Sequence, residues 1–286
     1  EKQNLMTYLD VDTENNYYYS EVKGRELYFV NEGLKVPKYG QAELVEAETS
    51  FTAYQEFQSM LTRDRIDIFM VGEFDDYQVL QALHRFPLEG RQVDLQFSYS
   101  QPYVNVVKEK IEPRQSSQSI LQLGYQFPCQ YGDKDYFALI VFNAMFGEFA
   151  HSALFTTLRE KEGLAYSISS QFDIFTGLLE VYAGIEKSNR DQAMRGISRE
   201  LNYIKLGRFS SSLLNQTKKI IRMNALLSED HALTLVEQRF NKVIFGDKSL
   251  SLENWLDEIE KVTKKDVCRV ARQVKLQSLF FLEGVS

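Results

Sequence analysis

Two hydrogen-bond donors flank a glycine in Leu158-Arg159-Glu160-Lys161-Glu162-Gly163-Leu164-Ala165-Tyr166. Arg159 brings a guanidinium and Tyr166 a phenol, and the chain between them decides whether they can meet. Ala150, Leu154 and Leu158 recur at helical spacing, a charged turn follows, and Gly163 can take the left-handed conformation that ends a helix. Tyr166, Ile168 and Ser170 then alternate with Ala165, Ser167 and Ser169, as in a strand. A helix, a glycine stop and a strand reverse the chain, so Arg159 and Tyr166 can face one cleft. A plainer role also fits: Arg159 as a helix-end cation pairing with Glu162, and Tyr166 half-buried.

The other reactive residue types are scattered. His84, His151 and His231 lie far apart. His151 follows Glu148 by about one helical turn, but two side chains do not make a metal site, and His151 reads as a surface residue. Asp75-Asp76 reads as a helix N-terminal cap. Cys129 and Cys268 fall outside Cys-x-x-Cys spacing and read as buried thiols of a reducing cytoplasm. There is no phosphate loop, no dinucleotide fingerprint and no supported Ser/His/Asp set.

The elements that must position Arg159 and Tyr166 alternate between helical and extended patterns. Residues 1 to 31 read as helical, and 41 to 61 as two short helices broken near Thr49, the second with Ala53, Phe57 and Leu61 on its apolar stripe. Ile66 to Gly72 reads as a buried strand. A helix starts at Asp75-Asp76, turns Val79, Leu80, Leu83 and Phe86 inward and stops at Pro87. Residues 93 to 112 read as extended, and the polar run from Glu109 to Ser117 as a crossing between domains. Ser119 to Phe127 alternates, with Ile120, Gly124 and Gln126 on one face and Leu121, Leu123, Tyr125 and Phe127 on the other. Asp135 to Phe146 is too apolar to be exposed on any side. A strand at 177–185, helices near 189–206, 210–228 and 231–245, a final helix pair over about 251–273, and a strand at 276–282 complete the chain. Strands bracketing runs of helices point to an α/β or α+β layered fold.

The chain also repeats itself. Glu46 to Ala53 resembles Glu260 to Val267, with Thr49 and Thr263 as matching N-caps and Thr263-x-x-Asp266 as a capping box. Ile68 to Gly72 pairs with Leu279 to Gly284. The offsets are 263 − 49 = 214 and 284 − 72 = 212, which implies two similar halves, the first only partly present. The domain limits read from this are 1–100 for the tail of one half, 101–115 for an extended crossing, and 116–286 for most of the other.

At 286 residues the chain suffices for one large domain or two modest ones. Its net charge of −7 and pI near 5.2 argue against a nucleic-acid partner. No apolar run reaches membrane-span length, and no signal peptide is read at the start. A cytoplasmic protein without a membrane partner is expected.

The stretch Leu158 to Tyr166 resembles, at every position, the second-half signature of the insulinase/pitrilysin (inverzincin) peptidases, which include the mitochondrial processing peptidases. One departure lies upstream: that family has two or more glycines in the preceding turn, whereas Gly147 is followed here by Glu148, which implies a stiffer turn. The resemblance implies an α+β fold of duplicated metallopeptidase-like halves, each a mostly antiparallel sheet covered by helices, closing a chamber. It implies that Arg159 and Tyr166 are substrate-binding, the arginine on peptide carbonyls and the phenol on an oxyanion. Active members bind zinc through His-x-x-Glu-His, which these 286 residues lack. The third ligand, a glutamate, would fall at Tyr8, a poor replacement. The reading is therefore a bacterial, non-catalytic homologue with no catalytic residues, no metal ligands and no cofactor. It would bind peptide or unfolded polypeptide and pair with a homologous zinc peptidase subunit or with itself. Two alternatives stay open: an active zinc endopeptidase whose motif, and zinc, belong to an upstream segment, and a purely structural subunit.

Overall fold

The computed structural model describes residues 1–85, 91, 93 and 99–285. Its centre is a five-stranded sheet in the order β1-β5-β2-β4-β3. The strands are β1 (Lys108–Gln115), β2 (Ser119–Gln126), β3 (Ala165–Asp173), β4 (Leu178–Ile185) and β5 (Lys275–Val285). All pairings are antiparallel except β1 with β5. β2 lies in the middle, and its period-two alternation divides two cores. Leu121, Leu123 and Tyr125 join Val181, Leu279 and Phe281 in the larger one. Ile120 joins Phe280 and Leu282 on the opposite face. The assignment of β2 residues to two faces made from sequence therefore holds, with both faces buried.

Helices cover the larger core: α7 (Tyr136–Asn143), α8 (Arg190–Lys205), α9 (Ser211–Ser228), α11 (Leu252–Lys261) and α12 (Lys264–Gln273). Leu139, Val141 and Phe142 of α7 are fully buried, as their uniform apolarity demanded. α10 (Ala232–Phe245) lies outside this layer, with no buried residues. Among the early helices, α1 (Lys2–Glu14) and α2 (Asn16–Tyr28) meet the expectation for residues 1 to 31.

α2 covers the second face of the sheet, although its residues fall in the segment read as the first half. Two glycines permit the contact. A Cβ on Gly24 would stand 2.7 Å from Gln122 Cγ, and one on Gly124 would stand 2.9 Å from Tyr28 Cδ2. Arg25 clamps α2 to β4 by donating to both carboxylate oxygens of Glu180, at 3.0 and 2.8 Å. Glu180 is buried, and its hydrogen bond to Arg25 holds that guanidinium above its ordinary pKa. The segment from residue 99 to 107 is tied to the same body. Gln101 donates to the Tyr28 carbonyl, and Val104 N–H donates to Gln277 Oε1 at 3.0 Å.

Three elements differ from the sequence reading. α3 (Glu32–Lys35), α4 (Ala42–Ala47), α5 (Ser50–Arg63) and α6 (Asp76–Leu83) form, and Asp75 caps α6 at 2.8 Å from Tyr77 N. The apolar stripe of α5 is nevertheless largely exposed, Phe57 by 48%, and so is Leu80 of α6. Ile66 to Gly72 forms no strand, and Ile68 and Met70 are exposed. Branched residues favour a strand only where a neighbour completes the ladder, and no described strand lies beside this stretch. Phe69 instead sets its ring edge-on to Phe240 of α10, centroids 6.2 Å apart. The polar run read as a crossing contains β1, an edge strand, where Pro113 is tolerated. The inward face read for Phe86, the Pro87 stop and most of residues 93 to 98 lie outside the described residues.

Candidate functional site

Arg159 is held by the chain around Leu158. Residues Phe155–Lys161 form a π-helical segment, wider than the α-helix that periodicity implies. Glu162 N–H bonds Thr157 O at 2.9 Å and Leu164 N–H bonds Leu158 O at 2.8 Å, which closes the turn. Gly163 has φ +61°, the left-handed stop expected of it. Leu158 is fully buried and fills the notch left by Gly196 of α8, within 3.2 Å of where a Cβ would stand. With Leu158 anchored inward, Arg159 is exposed, its guanidinium 4.6 Å from the centre of the Phe155 ring.

Tyr166 sits where the pairing of β3 with β4 shifts register, between Ala165 and Ser167. A bulge re-aims a side chain, and Tyr166 is 57% exposed. Its hydroxyl donates to Glu186 Oε1 at 2.7 Å, and that bond raises the phenol above its usual pKa. Of the plainer readings from sequence, Arg159 does lie in the last turn of its helical segment, but the pairing with Glu162 and the half-burial of Tyr166 are not seen. Glu162 pairs with Arg199 of α8 at 2.6 Å, and Tyr166 is exposed more than half-buried. The structure therefore presents both side chains on either side of one glycine turn, each with its own partner. β3 pairs only with β4 among the described residues, so its outer edge stays open beside them. Glu186 is the site residue that sequence reasoning missed, and a single acidic residue after a strand gave no signal for it.

The turn before this segment is also π-helical, Ala144–Glu148. Gly147 is required by close approach, since a Cβ there would stand 2.6 Å from Ser170 Oγ. Ser170 donates to Asn143 Oδ1 at 2.7 Å, and Asn143 Nδ2 donates to Glu148 Oε2 at 2.9 Å. Asn143 and Ser170 are buried and Glu148 is exposed; sequence reasoning missed this relay, and the lone amide in an otherwise apolar run was the signal that could have found it. His151 is not a ligand partner of Glu148. Its Nε2 lies 2.9 Å from Thr217 Oγ1, whose own proton goes to the Leu213 carbonyl at 2.9 Å. The imidazole must then be the donor, and burial lowers its pKa.

Tyr8, where the resemblance would set a third zinc ligand, lies on α1 and is 68% exposed. Among the described residues no group of three or more His, Cys, Asp or Glu side chains could hold a metal ion.

A family model described as "Peptidase M16 inactive domain" matches residues 54–221. The "Probable inactive metalloprotease YmfF" of Bacillus subtilis is 32% identical over 285 residues, spanning 99% of this chain and 67% of the relative. The chain belongs to the peptidase M16 family. What it matches is the non-catalytic side of that insulinase-like family, by both the domain and the relative's description. A crystal structure of a conserved protein from Enterococcus faecalis V583 superposes with TM-score 0.94 at 36% identity, over 99% of this chain and 67% of that one. The "Uncharacterized zinc protease YmxG", also of Bacillus subtilis, is 24% identical over 85% of this chain. The chain spans about two thirds of the first of these curated relatives and 59% of the second. The α+β fold expected from sequence is thus that of an M16 peptidase.

Proposed function

We propose that this M16 protein holds extended peptide or unfolded polypeptide against β3 without cutting it, and supports a zinc-bearing homologous subunit. One observation carries the reading: Arg159 and Tyr166 are both exposed at the start of an edge strand whose outer backbone groups have no described partner. An edge strand can accept a further strand, its N–H and C=O groups supplying affinity. A guanidinium beside that edge can donate to peptide carbonyls, and the phenol supplies a second donor. The partner is inferred from relatives: Bacillus subtilis carries one relative described as an inactive metalloprotease and another as a zinc protease.

Matching capping boxes support two similar halves with limits near 100 and 116, since Thr49 on α5 and Thr263 on α12 both bond the N3 residue reciprocally. Two buried free thiols, Cys129 and Cys268, suit a cytoplasmic setting. No described helix is long and apolar enough to cross a membrane.

The test is Arg159→Ala combined with Tyr166→Phe, read by fluorescence anisotropy of a labelled unstructured peptide. Charge-assisted hydrogen bonds contribute about 1.5–3 kcal/mol each, so affinity should fall about tenfold or more. Thermal stability should stay within about 1 °C, because both side chains are exposed. Unchanged affinity, or a loss of folding, would overturn the reading.

A further inference from the structure

A recess among the helices, lined by neither Arg159 nor Tyr166, carries chemistry that peptide holding does not use. It is a cleft of about 450 Å³ bounded by residues of α7, α9, α10 and α11 and by the π-helical turn at 144–148. That volume suits a small ligand. Of its lining residues only Glu148 is charged, and no lysine or arginine lines it. The carboxylate is fixed from below: Asn143, itself buried, donates to Oε2 at 2.9 Å and is held by buried Ser170 at 2.7 Å. Oε1 has no hydrogen-bond partner among the described residues. Enough protein surrounds the carboxyl that burial raises its pKa, although the side chain still reaches solvent. Aromatic rings complete the wall. Tyr131 is stacked on Phe245 with centroids 3.8 Å apart and leans against Tyr136 at 4.8 Å, and Trp255 stands beside them.

We propose that this cleft binds a primary alkylammonium group, with the Glu148 carboxylate taking the charge and the Tyr131, Tyr136 and Trp255 rings taking the alkyl chain. A carboxylate held in place by Asn143 can accept charge-assisted hydrogen bonds from an ammonium group. Aromatic walls take up the apolar surface of an alkyl chain. The same group could arrive on a free amine or on a lysine side chain.

The test titrates the protein with n-pentylammonium, with its neutral counterpart 1-pentanol, and with Nα-acetyl-lysine amide, by isothermal calorimetry at low salt. Pentylammonium should bind saturably and at least tenfold more tightly than pentanol. Glu148→Gln, which keeps a carbonyl for Asn143, should lose that tenfold advantage with an unchanged melting curve. Arg159→Ala with Tyr166→Phe should bind the amine as the native protein does, which separates this site from the peptide edge. Equal binding of the lysine amide assigns the cleft to lysine side chains, and binding of pentylammonium alone assigns it to free amines. Pentanol binding as tightly as pentylammonium, retention of affinity in Glu148→Gln, or no saturable binding of either amine would overturn the proposal.

Discussion

Replacing Gly124 with alanine is the sharpest test of how the early helices join the sheet. A Cβ at this position would stand 2.5 Å from Ser278 Oγ, 2.9 Å from Tyr28 Cδ2 and 3.5 Å from Leu178 Cδ1. The first two distances are too short to survive, and neither neighbour can easily yield. Tyr28 is 1% exposed and Ser278 2% exposed, so both are packed on all sides. Overpacking of this kind costs about 1–3 kcal/mol, and two simultaneous clashes place Gly124→Ala toward the upper end. At about 2–4 °C per kcal/mol for a chain of comparable size, the midpoint should fall roughly 4–10 °C in differential scanning calorimetry. Adding Ser278→Ala removes the shorter contact and should recover part of the loss, leaving the share due to Tyr28. A Gly124→Ala protein as stable as the native one would refute the packing of α2 on β2, and with it the shared core.

Two further effects follow from local chemistry. Thr263→Ala removes the hydroxyl that accepts from Asp266 N–H at 3.4 Å and donates to Asp266 Oδ2 at 2.5 Å, and should lower stability by about 1 kcal/mol in urea unfolding. His151→Gln should flatten the acid limb of the stability profile. The native imidazole has a pKa below its ordinary 6.5 because burial disfavours the cation, so the unfolded chain binds the extra proton first. Its contribution is complete above about pH 6.5 and is lost as pH falls toward the depressed folded value. Melting midpoints between pH 7.5 and 5.5 should therefore drop less in the variant, and an equal drop would refute the assignment.

Much of the second part of the chain was legible because its elements are local and strongly patterned. α8, α9, α11, α12 and the strands β2, β4 and β5 follow from period and caps alone. What sequence could not show depends on partners distant along the chain. Gly24 and Gly124 look dispensable until α2 is laid across β2, and only then does each prove to be the space for a neighbouring side chain. Ile66 to Gly72 has strand composition, but pairing is a property of two segments, and no described strand adjoins it. β1 was read as extended only as far as residue 112 and its end as a crossing, since an edge strand carries polar residues that a central one cannot. The π-helical turn at Phe155–Lys161 has the composition of an α-helix, so its wider backbone hydrogen bonding leaves no mark in the sequence. Arg159 and Tyr166 were found by motif, and their exposure depends on that turn and on the register shift at the start of β3.

The most direct measurement is photo-crosslinking of an extended peptide bearing a central benzophenone, with the attachment points located by mass spectrometry. The expected result is labelling of residues 165–173 along the outer edge of β3, lost when Arg159 and Tyr166 are replaced, with the peptide recovered uncut. Attachment concentrated on the exposed face of α5 instead, or labelling of β3 that is indifferent to both replacements, would contradict it.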